Sequence, residues 1–228
     1  MVRLLVLLAL LLSGCALRAP AAGPTTPAAS PRSSVDVAGA LAALASLPVK
    51  GRAPMTGYDR KAFGPAWSDD TQDEWGHNGC DTRNDVLRRD LTDAVLEAGT
   101  HGCVVLTGTL QDPYGGTTIH FVRGPTTSIA VQIDHVVALA DAWQTGAQGW
   151  SRARRQAFAN DPRELVAVSG ALNESKRDGD AATWLPPYKP GRCAYVARQV
   201  AVKRAYELWV TPAEHDAIMR VLQHCRGP

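Results

Sequence analysis

Two short apolar stretches and the helix that follows them constrain this chain more than any other feature. Val131-Gln132-Ile133-Asp134-His135-Val136-Val137 closes a run from Ser128 that is rich in β-branched residues and reads as a strand. It delivers an Asp and a His side by side. Leu165–Ser169 reads as a second short strand, and a helix opens near Gly170, with Asn173-Glu174-Ser175-Lys176 at its start. Asp-His alone, or Asn-x-x-Lys alone, is a common pattern. Together, in this order and on these elements, they are specific.

That order resembles the ββα-metal core of HNH nucleases. Longer stretches extend the resemblance: Gly79-Cys80-Asp81-Thr82-Arg83-Asn84, Asp112-Pro113-Tyr114, Ile133 to Leu139, Asn160-Asp161-Pro162 and Trp184-Leu185-Pro186-Pro187. They are similar to a family of exported actinobacterial HNH proteins. That family is related to the C-terminal nuclease domain of the modification-dependent GmrSD restriction enzymes. The likeness runs from about Gly57 to Cys225.

The resemblance implies hydrolysis of phosphodiester bonds in DNA, with RNA as an alternative substrate, leaving 5′-phosphate and 3′-hydroxyl ends. Neutral His135 would act as general base. Asp134 and Asn173 would hold one divalent cation, magnesium first, with manganese or another ion as alternatives. Lys176 and Arg177 would contact phosphate, and Arg154 and Arg155 would extend the basic surface. Adjacent strand residues point to opposite faces, so Asp134 and His135 would flank one phosphate from two sides. One departure stands out. Glu164 occupies the place where many HNH sequences carry a middle Asn, and Asn160 lies nearby but offset. Either residue is a candidate brace for the loop that carries the His.

The N-terminus points to export. Arg3 precedes an apolar run, Leu4 to Leu12, too short to span a bilayer but of signal-peptide length. Leu12-Ser13-Gly14-Cys15 resembles a bacterial lipobox, with Cys15 as the lipidated residue. The expected layout is a lipoprotein signal at 1–15, an Ala/Pro/Ser/Thr-rich tether at 16–56 and a nuclease domain at 57–228. The protein would sit on the outer face of the cell membrane through its lipid alone, or be secreted. The four other cysteines, Cys80, Cys103, Cys193 and Cys225, form an even set without a C-x-x-C pair, so disulfides are expected rather than zinc. Three pairings are possible. Cys80–Cys103 and Cys193–Cys225 are favoured because each brackets one predicted helical unit.

Elsewhere the chain reads as a helix over Val35–Leu47 and an amphipathic helix over Asn84–Ala98. A hairpin (Cys103–Leu110 and Thr117–Val122) follows, then short helices at Ala138–Thr145 and Ser151–Ala159. A long helix covers Ala194–Trp209, and a last one is capped by Thr211-Pro212-Ala213-Glu214. The fold class is α+β: a ββα-metal core with an N-terminal helix and hairpin and a C-terminal helical pair. The net charge of +2 gives no global attraction to nucleic acid, so any phosphate-binding surface must be local. His77, His101, His120, His215 and His224 show no ligand spacing, and the six tryptophans read as packing groups. Asp81, Arg83 and Asp85 read as a salt-bridge network at a helix start. The rival functions are an HNH fold that binds nucleic acid without turnover and a surface-interaction lipoprotein. The oligomeric state is open.

Overall fold

The computed structural model describes residues 35–225. The signal segment, Cys15 and residues 16–34 of the tether lie outside the described residues. Among those described, no helix is long and apolar enough to cross a membrane.

The first helix, α1 (Val37–Ser46), starts where the Asp36 carboxylate accepts the Gly39 N–H at 2.8 Å. It ends before Pro48. Ala40, Ala43 and Leu44 recur at helical spacing and are buried in a core with Val196, Val200, Ile218 and Leu222. Small alanines let the helix axes approach closely. Lys50 and Ala53 then donate backbone hydrogen bonds to Val210 and Gln144, and Arg52 reaches Asp180 at 2.6 Å. Residues 35–56, assigned to the tether by composition, therefore belong to the folded body. An Ala-rich stretch next to Pro and Ser resembles a tether in composition, but its small apolar side chains are well suited to close helix packing.

Next come α2 (Thr82–Asp90) and three antiparallel strands, β1 (Leu91–Leu96), β2 (Val105–Gln111) and β3 (Thr118–Val122), in sheet order β1-β2-β3. This corrects the helix expected over Asn84–Ala98, which ends at Asp90. Leu87 and Leu91 are buried, as a helix would require, but that spacing fits a helix–strand junction equally well. Pairing with β2 decides the matter, since it engages the backbone at Leu91, Thr92, Val95 and Leu96. Asp93 interrupts the ladder with a positive φ of 53°, where the register shifts between Thr92 and Val95.

The central hairpin is β4 (Val131–His135) against β5 (Leu165–Ser169), antiparallel, with His135 opposite Leu165 and Val131 opposite Ser169. Between these strands lie α3 (Leu139–Gln144) and α4 (Arg152–Asn160). After β5 comes α5 (Gly170–Lys176), packed on both strands. Gly170 is required at that junction, because a Cβ there would run into the Ile129 carbonyl oxygen. Finally α6 (Arg192–Ala205) and α7 (Pro212–His224) form a pair. Thr211 and Glu214 form a reciprocal capping box ahead of α7, as the sequence suggests.

Disulfides join Cys80 to Cys103 and Cys193 to Cys225. The first ties the approach to α2 to the approach to β2. The second ties the start of α6 to the end of α7. Each closes a loop that, in chain-entropy terms, stabilises the fold by about 3 to 4 kcal/mol. Three apolar clusters make the core, and β4 with its exit feeds all of them. Val131 and Ile133 belong to one, Val136 to another and Val137 to the third. Strand alternation and this three-way anchoring fix where Asp134 and His135 point.

Candidate active site

His135 shares a strand face with Val131 and Ile133. Its ring stacks against Trp67, with centroids 6.0 Å apart and planes 17° from parallel. Nε2 lies 3.0 Å from the Ala159 carbonyl oxygen at the end of α4. A carbonyl only accepts, so Nε2 carries the proton and the ring's lone pair sits on Nδ1. The ring borders a cavity of about 400 Å³, whose lining includes Arg60, Lys61, Phe63, Trp67, Leu139 and Asn160. Burial, then the charge of Arg60, lower the imidazole pKa to about 3. The ring is therefore neutral and basic in form at physiological pH.

Asp134 points the other way. Its Oδ2 accepts the Tyr114 hydroxyl at 2.5 Å, and its Oδ1 accepts the Lys176 ammonium at 2.9 Å. Lys176 also donates to the His135 carbonyl oxygen at 2.8 Å and is wholly buried. This corrects the expectation that Lys176 faces substrate. Helix α5 is short and lies flat on β4, so Lys176, three residues after Asn173, is directed inward. Burial and the neighbouring Asp134 push the Tyr114 hydroxyl pKa well above its ordinary range, so it remains a donor. Asn173 uses its Nδ2 to bond the Gln132 side chain at 2.8 Å.

This arrangement bears on the implied cation. Asp134 is already neutralised by an ammonium and a hydroxyl. A divalent ion bound there would have to displace Lys176 from a buried site. As they stand, Asp134 and Asn173 do not fit a hard divalent cation. Among the described residues, the acidic cluster close enough to share an ion is Asp141, Asp180 and Glu214. Its centre is filled by Lys203, 2.9 Å from Asp141 and 2.7 Å from Glu214, with Arg52 2.6 Å from Asp180.

The other expected residues divide by what they touch. Both carboxylate oxygens of Glu164 accept the Val137 N–H, at 3.0 and 3.2 Å, and its carbonyl accepts the Val136 N–H at 2.9 Å. Burial pushes its carboxyl well above the usual range. Glu164 thus holds the backbone just after His135. Asn160 bonds the Gln156 carbonyl through Nδ2 at 2.9 Å and lines the His135 cavity. Arg177 is exposed at the end of α5, with a φ of 52°. Arg154 and Arg155 are corrections too. Arg154 bonds the Tyr206 carbonyl and Glu207. Arg155 bonds the carbonyls of Ala62, Ala147 and Trp150. Carbonyls left at loop and helix ends recruit these guanidinium groups, so the run is internal stapling rather than a free ridge.

Sequence reasoning missed Arg60, Lys61 and the role of Trp67 as a wall of the cavity. They lie in a segment without periodicity, and only the fold brings them to His135. At the start of α2 the expected salt-bridge network of Asp81, Arg83 and Asp85 is replaced by capping and backbone contacts, with Asp85 3.6 Å from Arg88. Asp81 caps the helix by accepting the Asn84 N–H at 2.9 Å, and Arg83 bonds the Val131 carbonyl.

Comparison with known proteins adds two findings. The chain is 35% identical over 220 residues to a protein of Arthroderma benhamiae described as an uncharacterized secreted protein, covering 96% of this chain and 98% of that one. No solved structure matches it significantly. Residues 81–221, which hold both strands of the central hairpin, α5 and His135, match the C-terminal domain of GmrSD restriction endonucleases, and the chain belongs to that family.

Proposed function

We propose that this protein is an exported HNH-type endonuclease that hydrolyses phosphodiester bonds in DNA, with RNA as a second substrate. We assign His135 as its general base. One observation carries the assignment: a neutral imidazole, held by Ala159 through Nε2, borders a cavity and keeps its Nδ1 lone pair available. The fixed tautomer lets Nδ1 take a proton from an attacking water without rotating the ring. Glu164 acts as a positioning residue by fixing the backbone beyond His135. The β4–β5–α5 order and the family membership support the reading.

A divalent cation such as Mg2+ is part of the chemistry that the resemblance implies. It would stabilise charge on the phosphate. Asp134 is committed to Lys176 and offers such an ion no free ligand. The same ion pair favours a second reading, a nucleic-acid-binding or surface-interaction lipoprotein of the same fold without turnover. Export is supported by the two disulfides and by the secreted relative. Lipid attachment at Cys15 is tested by Cys15→Ser, which should release the protein from membranes.

The deciding experiment is plasmid nicking over a Mg2+ and Mn2+ series, with a chelator control. The wild type should nick. His135→Ala should lose about 10²- to 10⁴-fold in rate while keeping its fold. Near wild-type nicking by His135→Ala would remove it from the mechanism. Absence of nicking by the wild type under every metal would select the second reading.

A further inference from the structure

We propose that Arg60 and Lys61 form the phosphate-binding edge of the His135 cavity and hold the nucleic-acid backbone beside the bond under attack. The inference rests on the nuclease reading and supplies a cationic surface at the His135 cavity itself. Of the four basic side chains expected to serve, three are committed elsewhere, and the fourth, Arg177, is exposed at the end of α5 and is not among the residues lining the cavity. Lys176 is buried on Asp134, Arg154 is tied to Tyr206 and Glu207, and Arg155 to three carbonyls. By contrast, Arg60 and Lys61 are exposed and line the cavity. Among the described residues, neither side chain has a hydrogen-bond or ion-pair partner.

The pair is held on a firm base. It opens a short 3₁₀ turn, Arg60–Phe63, whose start is fixed by the Asp59 carboxylate accepting the Lys61 N–H at 2.8 Å. Phe63 anchors the other end among Trp143 and Phe158, with ring centroids 6.4 and 6.1 Å away. The Arg155 guanidinium bonds the Ala62 carbonyl at 2.9 Å. Asp59 is the carboxylate in the cavity lining, so two cations face one anion there. Arg60 lies close enough for its charge to help depress the His135 imidazole. Phosphodiester oxygens suit such an edge. A guanidinium can bind two of them at once, and an ammonium adds a point charge. Both residues precede the stretch 81–221 matched to the family.

The test uses the folded chain with both disulfides intact. Binding of a fluorescein-labelled DNA duplex is followed by anisotropy over a salt series, in the His135→Ala background so that the probe survives. Adding Arg60→Gln and Lys61→Gln should weaken binding about tenfold or more. It should also lower the slope of log K against log salt by roughly 0.9 for each phosphate that is no longer neutralised. The charge-preserving pair Arg60→Lys with Lys61→Arg should keep most of the slope, since each phosphate still meets a cation. With His135 intact, the Gln pair should raise KM far more than it lowers kcat. Unchanged affinity and slope in the Gln variant would overturn the proposal and leave the nuclease reading standing. If the His135→Ala parent shows no salt-dependent DNA binding, the nuclease reading fails and takes this proposal with it.

Discussion

Asp134 and His135 are neighbours on one strand, yet they live in different environments. The Asp134 side is sealed. Tyr114, Lys176 and α5 satisfy its carboxylate and shut out solvent. The His135 side opens to a cavity, and only one ring nitrogen is used internally. A strand's two-residue period makes such a division easy. One face can hold the fold together while the next residue serves chemistry. On this view the Asp of the pair is mainly structural, and the two residues should respond differently to substitution.

The largest effect should come from breaking the sealed side. Asp134→Ala leaves the Lys176 ammonium buried without its counter-ion, which costs about 3–5 kcal/mol. For a domain of this size the melting temperature should drop by roughly 6–20 °C. Replacing both partners with apolar residues, Asp134→Leu with Lys176→Met, should recover most of that loss, because burying a pair gains little over burying hydrocarbon. His135→Ala should melt within a few degrees of wild type and lose nicking instead. If Asp134→Ala melts like the wild type but no longer cleaves DNA, the division fails and Asp134 belongs to the chemistry.

A smaller effect should sharpen the same contrast. Glu164 lies at the junction of the two sides, bonded to the backbone that follows His135. Glu164→Ala orphans the Val137 N–H and should cost about 1–3 kcal/mol. It should also lower kcat, since the strand end that carries His135 loses its brace. Glu164→Gln retains an acceptor and should restore both properties. Loss of stability without loss of rate would confine Glu164 to the fold.

These contrasts explain what the sequence could and could not reveal. The hairpin with α5 is legible because β-branched runs and an Asn-x-x-Lys start are local signals. So is the Thr211–Glu214 capping box, which depends on residues three apart. The favoured cysteine pairing is the one found, although the stretch between Cys80 and Cys103 holds α2 and β1 rather than a single helical unit. The strand at Leu91–Leu96 is not legible, since Leu87 and Leu91 satisfy a helix as well as a helix–strand junction and only β2 decides. The inward turn of Lys176 is likewise set by a residue far away in sequence, Asp134. Arg60 and Lys61 carry no pattern at all. Their meeting with His135 depends on Phe63 docking against α4.

The last contrast concerns pH, and it sets the open site against the sealed Asp141–Asp180–Glu214 cluster. The His135 pKa is depressed to about 3 in the folded protein, chiefly by burial. An unfolded His titrates near 6.5. The neutral ring therefore contributes stability that is present above about pH 6.5 and fades as the pH falls towards 3. Glu214 shifts in the opposite sense for a carboxyl. Burial raises it to about 7, although Lys203 pulls it down. Its contribution is fully present below the unfolded value, near pH 4.3, and fades as the pH rises through 7. Melting curves between pH 4 and pH 8 should separate the two groups. His135→Ala should remove part of the acid-side fall. Glu214→Gln should flatten the decline between about pH 5 and pH 7, whatever it does to the absolute melting temperature. In the active protein, kcat/KM should show no inflection near pH 6.5, because the base of the free enzyme is already deprotonated there. A clear inflection near 6.5 that persists in Glu164→Gln would place His135 in a wetter setting than its stacking on Trp67 allows, and the contrast between the two sides of β4 would lose its chemical half.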